Sequence, residues 1–125
     1  MKTIMIVDDS ATMLMSMEAI LKKASFATQT AASAESALAL LQGGAKPNLI
    51  ITDLNMGAMN GIDLIREARK IAALRFVPML MLTTESQTAR RQEAKAAGAS
   101  GWLVKPVDAT ALLQVLGQLL PGGAV

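Results

Sequence analysis

The most constraining feature of this chain is a regular alternation of short apolar runs with longer stretches of helix-forming residues. Four runs are apolar at nearly every position, as in strands that are covered on both faces. These runs are Ile4–Val7, Leu49–Thr52, Val77–Thr83 and Trp102–Val104. A fifth run, Phe26–Ala31, alternates apolar residues with Thr28 and Thr30, which predicts a less buried edge strand.

Five helix-length stretches follow these runs and are rich in Ala, Leu, Met, Glu, Lys and Arg. The predicted helices are Thr12–Ala24, Ala34–Gln42, Ile62–Ala73, Gln87–Ala97 and Ala109–Leu119. Ser33, Ser86 and Asp108 are predicted N-caps, because their side chains can accept the free amide hydrogens of a first helical turn. Gly43 and Gly98 are predicted to close the preceding helices with a positive φ.

The strict order of five strand–helix pairs predicts one α/β domain with a parallel five-stranded sheet between two layers of helices. Parallel neighbours need a crossover connection, and every crossover here is helical. The chain has 125 residues and is 52% hydrophobic, which suits a single compact core.

The composition excludes several classes of chemistry. The chain has no cysteine and no histidine, so it has no disulfide, no thiolate nucleophile and no Ser-His-Asp triad of its own. Only the short run Ile4–Val7 precedes the first aspartates, which is too short for a signal peptide or a membrane span. We therefore expect a cytoplasmic protein without a membrane partner.

Two local basic groups favour solvated helix faces over a nucleic-acid site. They comprise Arg66, Arg69, Lys70, Arg90, Arg91 and Lys95. Glu67 and Glu93 interrupt these groups, no aromatic residue lies among them, and the net charge is only +2. We expect no nucleic-acid partner.

Polar side chains follow four of the predicted strands. Asp8 and Asp9 follow the first, Asp53 the third, Thr83 ends the fourth, and Lys105 follows the fifth. Each alone is compatible with ordinary turn or capping chemistry. The carboxyl ends of parallel strands share one edge of a sheet, where open α/β folds bind ligands. Together these side chains predict one pocket.

The charges of this predicted pocket call for a hard cation. Three carboxylates face one lysine, and two carboxylates about 4 Å apart repel by roughly 4 kcal/mol at an effective dielectric near 20. Oxygen ligands without histidine or cysteine favour Mg²⁺ or Ca²⁺, and a site with few protein ligands suits Mg²⁺. Asp53 beside a metal and Lys105 is a candidate nucleophile for phosphoryl transfer. The stretch Gly43–Lys46 lacks P-loop spacing, so the phosphoryl group must arrive on another molecule.

The order of these motifs resembles a known family. The motifs are Asp8-Asp9, Asp53-Leu54-Asn55-Met56, Thr83-Thr84-Glu85, Gly98-Ala99-Ser100-Gly101 and Lys105-Pro106. From about Thr3 to Leu120 the chain resembles the receiver domains of two-component response regulators, most closely the single-domain chemotaxis regulators. The resemblance implies a flavodoxin-like (βα)5 fold with strand order 2-1-3-4-5. It also implies one receiver domain over residues 1–125, without an output domain.

The resemblance implies a role for each matching residue. Asp53 would accept a phosphoryl group from a phosphohistidine of a histidine kinase or a histidine phosphotransfer protein. Asp9 and Asp53 would hold Mg²⁺ directly with the backbone carbonyl of Asn55, and Asp8 would act through a bound water. The Lys105–Pro106 peptide bond matches a position that is usually cis.

The resemblance also implies a switch. Thr83 would donate its hydroxyl to one phosphoryl oxygen, and Lys105 would pair with another. Trp102 matches the switch aromatic, although it is larger than the usual Tyr or Phe; the alternative is that it only packs on an edge strand. Asn55 and Glu85 match positions that tune how fast water removes the phosphoryl group.

Two further positions depart from the family pattern. Gly57 stands where many relatives have proline, which predicts a more mobile loop after Asp53. Thr84 stands where alanine is frequent, and its bulk is expected to narrow access to the pocket.

The first helix has an apolar stripe and an apolar outer position. The stripe predicted to face the sheet consists of Met13, Met17, Ile20, Leu21 and Ala24. Met15 points to nearly the opposite side and Leu14 lies at the margin. These two are candidate docking residues for the helical phosphohistidine domain of a partner. The alternative is that single exposed apolar residues need no explanation.

The leading interpretation is a monomeric phosphorelay switch that changes a partner-binding face formed by the fourth helix, fifth strand and fifth helix. One alternative is a small Mg²⁺-dependent phosphatase with an aspartyl-phosphate intermediate. Such enzymes place a second acid two positions after the nucleophile, where this chain has Asn55. The other alternative is a receiver-like interaction module that no longer takes phosphate.

Overall fold

The structure is a computed structural model and describes residues 2–84 and 89–120. The strands are β1 Thr3–Val7, β2 Ala27–Ala31, β3 Leu49–Asp53, β4 Met79–Thr83 and β5 Gly101–Val104. The helices are α1 Ala11–Lys23, α2 Ala34–Gln42, α3 Gly61–Ala68, α4 Arg91–Ala97 and α5 Ala109–Leu119. A short 3-10 helix, Ala72–Leu74, lies between α3 and β4.

All neighbouring strands pair in parallel, in the order β2-β1-β3-β4-β5. This confirms the flavodoxin-like α/β fold and the strand order predicted above. β2 pairs with β1 alone within the described chain, and its residues are the more exposed ones expected of an edge strand. The interior strands β3 and β4 are buried at every position, which explains their continuous apolar sequences.

The two faces of the sheet support separate cores, because successive side chains of a strand point to opposite faces. Ile4, Ile6, Ile51, Leu80 and Leu82 face one layer and pack with residues of α1 and α5, among them Met17, Leu21, Leu112 and Leu116. Met5, Val7, Ile50, Met79 and Met81 face the other layer and pack with residues of α2, α3 and α4. The stripe predicted on α1 lies in the first of these cores.

The third helix is shorter than predicted. It ends at Ala68, whereas helix propensity alone predicted continuation to Ala73. Arg69 leaves the helix as its C-cap, and its Nη1 donates hydrogen bonds to the carbonyl oxygens of Leu74, Arg75 and Val77 at 3.0, 3.0 and 2.7 Å. These contacts draw the following loop around one guanidinium, so tertiary hydrogen bonding overrides local propensity.

The predicted caps are confirmed at Ser33, Asp108 and Gly98, which has φ of 117°. The prediction of a positive φ at Gly43 was wrong. Gly43 has φ of −79°, and the left-handed turn falls one residue later at Gly44, with φ of 108°. The proposed cap Ser86 and the predicted helix start at Gln87 lie outside the described residues.

Within residues 2–84 and 89–120, no helix is both long enough and apolar enough to cross a membrane.

Candidate functional site

The carboxyl ends of four strands place the predicted polar residues along one edge of the sheet. Asp53 is the last residue of β3 and Thr83 the last of β4, while Asp8 and Lys105 directly follow β1 and β5. The register aligns these ends, because Val7 pairs with Thr52, Asp53 with Leu82, and Thr83 with Val104. Side chains almost a hundred positions apart in sequence therefore meet at one site.

Lys105 joins two of the carboxylates. Its Nζ lies 2.9 Å from Asp53 Oδ1 and 3.4 Å from Asp8 Oδ2. Its backbone amide donates a hydrogen bond of 2.6 Å to the carbonyl oxygen of Thr83, which fixes the start of the loop after β5. The Lys105–Pro106 peptide bond is cis, as the family resemblance implied.

The two neighbouring aspartates differ in their surroundings. Asp8 is buried, and its amide donates to the carbonyl oxygen of Ala31 at 3.1 Å. Its Oδ1 accepts the amide hydrogen of Ser10 at 2.9 Å, while the Ser10 side chain caps α1. Asp9, between Asp8 and Ser10 in the sequence, is exposed. Asp8 therefore has a turn role as well as a place in the site.

Asp8, Asp9 and Asp53 form a cluster in which one carboxylate oxygen from each lies within 4.8 Å of the others. At separations within this limit, each pair of charged carboxylates repels by at least about 3.5 kcal/mol at an effective dielectric near 20. Three carboxylates and the single ammonium of Lys105 leave a formal charge of −2. The charge and the all-oxygen donor set fit a hard divalent cation.

For both Asp53 and Lys105, burial and the neighbouring charge of the other residue shift the pKa in opposite directions. Desolvation raises the pKa of Asp53 above its ordinary value, although the hydrogen bond and charge of Lys105 oppose it. Desolvation of Lys105 lowers its pKa, but the hydrogen bond to Asp53 and the attraction of both carboxylates outweigh it, so the pKa of Lys105 is raised. The ammonium therefore stays charged beside the carboxylate.

Two buried side-chain polar atoms of the described residues have no hydrogen-bond partner: Thr83 Oγ1 and Trp102 Nε1. An unmade hydrogen bond at a buried polar atom costs about 1–3 kcal/mol. Both atoms belong to the residues singled out as the switch pair. The indole of Trp102 is half-buried, and the guanidinium carbon of Arg91 lies 5.3 Å from its ring centroid.

Gly61 is a site residue that the sequence analysis missed. A Cβ at this position would collide with the backbone carbonyl oxygen of Asp53 and lie 3.0 Å from Met81 Sδ. The Gly61 amide donates to the carbonyl oxygen of Leu54 at 2.8 Å, so α3 begins pressed against the end of β3. An available signal was the pair Asn60-Gly61, in which Asn60 forms a capping box with Asp63.

The loop after Asp53 explains one departure from the family pattern. Gly57 has φ of 70°, a left-handed conformation that the ring of a proline cannot adopt. Asn55 in the same loop is exposed and Met56 is buried. Glycine at position 57 therefore sets a different loop path from the one that proline would impose.

The remaining predicted positions lie around this edge or beside it. Thr84 is exposed directly after β4, and Glu85 lies outside the described residues. On α1, Met15 is 70% exposed, while Leu14 is partly buried against the core beneath the helix. Their proposed role in docking stays a prediction.

The basic groups on α3 and α4 are largely engaged within the protein. Arg66, Lys70 and Arg90 pair with acidic residues three positions away in the sequence. Arg69 is occupied by loop carbonyls, and Arg91 lies on Trp102.

The fold and the acidic edge together define the class of protein. Residues 4–117 match the family described as the response regulator receiver domain, so the chain belongs to that family. Receiver domains of the CheY type are signal switches that also catalyse their own phosphotransfer.

Several individual relatives of the chain are chemotaxis proteins. The chain is 37% identical over 117 residues to chemotaxis protein CheY-3 of Vibrio cholerae, covering 93% of this chain and 89% of that protein. It is 38% identical over 110 residues to chemotaxis protein CheY of Pseudomonas aeruginosa, covering 87% and 88%. The crystal structure of CheY4 of Vibrio cholerae is 39% identical and superposes with a TM-score of 0.90, covering 96% of this chain and 99% of that one.

Proposed function

We propose that Asp53 accepts a phosphoryl group from a phosphohistidine and that the chain acts as a Mg²⁺-dependent switch in a chemotaxis or motility pathway. One arrangement carries the proposal: the Lys105 ammonium lies 2.9 Å from Asp53 inside an acidic cluster. The Thr83 hydroxyl at the adjoining strand end is buried without a partner. A phosphoryl group on Asp53 would supply acceptor oxygens for both donors.

The reaction is a transfer between two nucleophiles. A carboxylate oxygen of Asp53 forms a bond to phosphorus while the bond from phosphorus to the imidazole nitrogen of the donor breaks. Lys105 places positive charge beside the transferred oxygens, and Thr83 donates a hydrogen bond to one of them. The ion pair to Asp53 is thereby exchanged for contacts to the phosphoryl group.

The acidic cluster suits a resident Mg²⁺. Asp9, Asp53 and the backbone carbonyl of Asn55 would hold it, and Asp8 would act through a water. When bound, the ion would neutralise charge on the carboxylates and on the incoming phosphoryl oxygens. The fixed turn that holds Asp8, with its hydrogen bonds to Ala31 and Ser10, supports a preformed site.

Intact-mass measurement after incubation with acetyl phosphate tests the proposal. With Mg²⁺ present we expect a single phosphoryl adduct, since acetyl phosphate supplies the group without a partner protein. Omission of Mg²⁺ with added chelator should reduce the adduct to background, because the acidic cluster then keeps its repulsion. No adduct at any Mg²⁺ concentration would contradict phosphorylation and favour a phosphorylation-independent interaction module.

The switch proposal rests on the two unpartnered atoms. A phosphoryl oxygen would satisfy the hydroxyl of Thr83, and movement of Thr83 toward it would open space beside β4. Trp102 lies on the neighbouring strand β5 and pairs with Met81 in the register. Movement of the ring would break no hydrogen bond, because its indole N–H has no partner. The contact with Arg91 stabilises the present position of the ring.

Replacing Arg91 with alanine should release Trp102. A cation–π contact at a partly exposed site contributes about 0.5–1 kcal/mol, so the population of the alternative ring position should rise roughly 2–5-fold. Trp102 is the only tryptophan and the chain has no tyrosine, so its emission and its quenching by acrylamide report the change directly. Beryllofluoride, which imitates the phosphoryl group, should then shift the emission of the variant at a lower concentration.

Arg90→Ala is the matched control. Arg90 precedes Arg91 and pairs with Glu93 on the same helical segment instead of the indole. Identical fluorescence changes in the two variants would show that the contact to Trp102 has no special role.

The exposed part of α1 is the proposed docking surface for the phosphohistidine domain. Met15 is 70% exposed and Leu14 is partly buried next to it, on a helix that begins beside Asp8 and Asp9. An apolar side chain at this position can contact a partner helix whose histidine reaches Asp53.

Replacing Met15 with glutamate should slow phosphoryl transfer from the partner about tenfold, because a charge would be buried at the interface. Phosphorylation by acetyl phosphate should not change. Leu40→Glu is a matched control, because Leu40 is another exposed apolar side chain but belongs to α2. Equal slowing with both donors would contradict docking at Met15.

The output surface is proposed at α4, β5 and α5. A cavity of about 230 Å³ lies there between Arg91, Lys95 and Trp102, so a change in the ring position alters its wall. The naming of two relatives as chemotaxis proteins supports a downstream partner in motility. We propose that a monomer makes this contact.

A further inference from the structure

The amino-terminal edge of the sheet, opposite the acidic site, carries a groove of about 380 Å³. We call it the amino-edge groove; its lining includes Lys2, Lys46, Pro47, Phe76, Pro78 and Leu120. Two lysines and no carboxylate line it among the residues that the structure describes. The groove is therefore a basic site with apolar walls.

The positive charge around this groove follows from the topology. Lys2 directly precedes β1, Lys46 lies three residues before β3, and Arg75 lies four residues before β4. Parallel strands start at the same edge, and both lysines line the groove there, while Arg75 is exposed next to Phe76 in the sequence. None of the three forms an ion pair with a carboxylate of the described chain, unlike Lys22 and Lys70.

An exposed aromatic ring accompanies the charge. The chain has two phenylalanines; Phe26 is 4% exposed and lies in a core, whereas Phe76 is 88% exposed at the groove. Phe76 can serve as an apolar anchor beside cations that pair with no carboxylate, since aromatic side chains are enriched at protein interfaces.

The edge is held in place before any partner binds. The Arg69 guanidinium restrains the loop around Phe76. Its Nη1 donates hydrogen bonds to the carbonyl oxygens of Leu74, Arg75 and Val77. On the other side of the groove, the Thr3 amide donates to Asn48 Oδ1 and the Asn48 amide to the Thr3 carbonyl oxygen, both at 2.8 Å. A rigid site loses less entropy on binding.

We propose that the amino-edge groove binds a short acidic segment of a partner protein. Carboxylates of the segment pair with Lys2 and Lys46, and one apolar side chain packs against Phe76 in the groove. A peptide side chain fills a concave groove, whereas a planar lipid surface would leave it empty. The groove and the acidic site lie at opposite ends of the strands, so a partner at the groove leaves Asp53 accessible.

Synthetic peptides test this proposal. The probes are fluorescein-labelled peptides of about 12 residues with glutamates around one leucine or phenylalanine. A matched set carries glutamine in place of glutamate. Fluorescence anisotropy should detect binding of the acidic set, at least about tenfold weaker binding of the glutamine set, and weakening as salt rises.

Single substitutions locate the site. Phe76→Ala and Lys46→Glu should each weaken binding of the acidic peptides about tenfold. Both positions are exposed, so folding should persist and circular dichroism verifies it. Leu40→Ala removes an exposed apolar side chain from α2 and should leave the affinity unchanged. Asp53→Asn should also leave it unchanged, which separates this site from the phosphorylation chemistry.

Several results would overturn the proposal. They include equal binding to wild type and to Phe76→Ala, or no binding by either peptide set. Binding of phosphatidylserine vesicles without peptide binding would assign the edge to lipid. Self-association in sedimentation that Phe76→Ala abolishes would assign it to a second copy of the chain. Peptide binding that appears only in a chain ending at Leu120 would assign the groove to residues 121–125.

Discussion

Replacing Asp53 with asparagine should abolish the phosphoryl adduct formed from acetyl phosphate and Mg²⁺. An amide has nearly the shape of the carboxylate, but its oxygen is a poor nucleophile and carries no charge. Lys105 retains Asp8 as a partner, with Nζ 3.4 Å from Oδ2, so the loop after β5 should keep its position. The expected loss is therefore chemical rather than structural, and intact-mass measurement detects it.

Asp108→Asn is the matched control for this result. Asp108 is exposed and caps α5 by accepting the amide hydrogen of Ala111, a role that asparagine fills equally well. This variant should form the adduct at the wild-type rate. A single adduct that survives in Asp53→Asn would refute the assignment of Asp53 and direct attention to Asp8 and Asp9.

Among the glycines that the structure describes, replacing Gly61 with alanine should give the largest loss of stability. The added Cβ meets the backbone carbonyl oxygen of Asp53 and the sulfur of Met81, two buried residues of the interior strands β3 and β4. Separating α3 from β3 should lower the free energy of unfolding by about 2–4 kcal/mol. Urea denaturation measures this loss, and the adduct yield should fall because the Asp53 backbone is displaced.

Gly117→Ala tests whether the effect belongs to position 61. Gly117 lies in α5, and a Cβ there meets no atom within 4 Å. Alanine at this position should raise the free energy of unfolding by about 0.5–1 kcal/mol, because alanine has the higher helix propensity. A Gly61→Ala protein as stable as wild type would mean that α3 can shift without cost.

The fold and the main site were predictable because their signals are local or repetitive. Continuous apolar strands and intervening helices predict a parallel sheet, and a parallel sheet brings Asp8, Asp53 and Lys105 to one edge. The strand that ends in Asp53 needs no distant information to be recognised. This explains why the parallel sheet and the meeting of these three side chains were predictable, whereas the strand order followed only from the family resemblance.

The missed features depend on contacts between distant parts of the chain. In the sequence, Arg69 resembles a solvated helix residue. In the structure, its Nη2 donates a hydrogen bond of 2.8 Å to the carbonyl oxygen of Gly98, 29 positions later. That contact helps to end α3 early. The requirement for glycine at position 61 arises from the close approach of two elements, which no periodicity reveals. The left-handed turn lies at Gly44 and not at Gly43. Two adjacent glycines can each adopt a positive φ, so the sequence does not show which of them does.

The contact between Arg69 and Gly98 also determines how α4 can move. The Gly98 carbonyl oxygen accepts hydrogen bonds from Nε and Nη2 of Arg69, and a Cβ at Gly98 would lie 2.9 Å from Nε. The carboxyl end of α4 is thus pinned to the end of α3. Reorientation of α4 on phosphorylation would pivot at Gly98, so displacement would grow along the helix toward Arg91 and the ring that it covers.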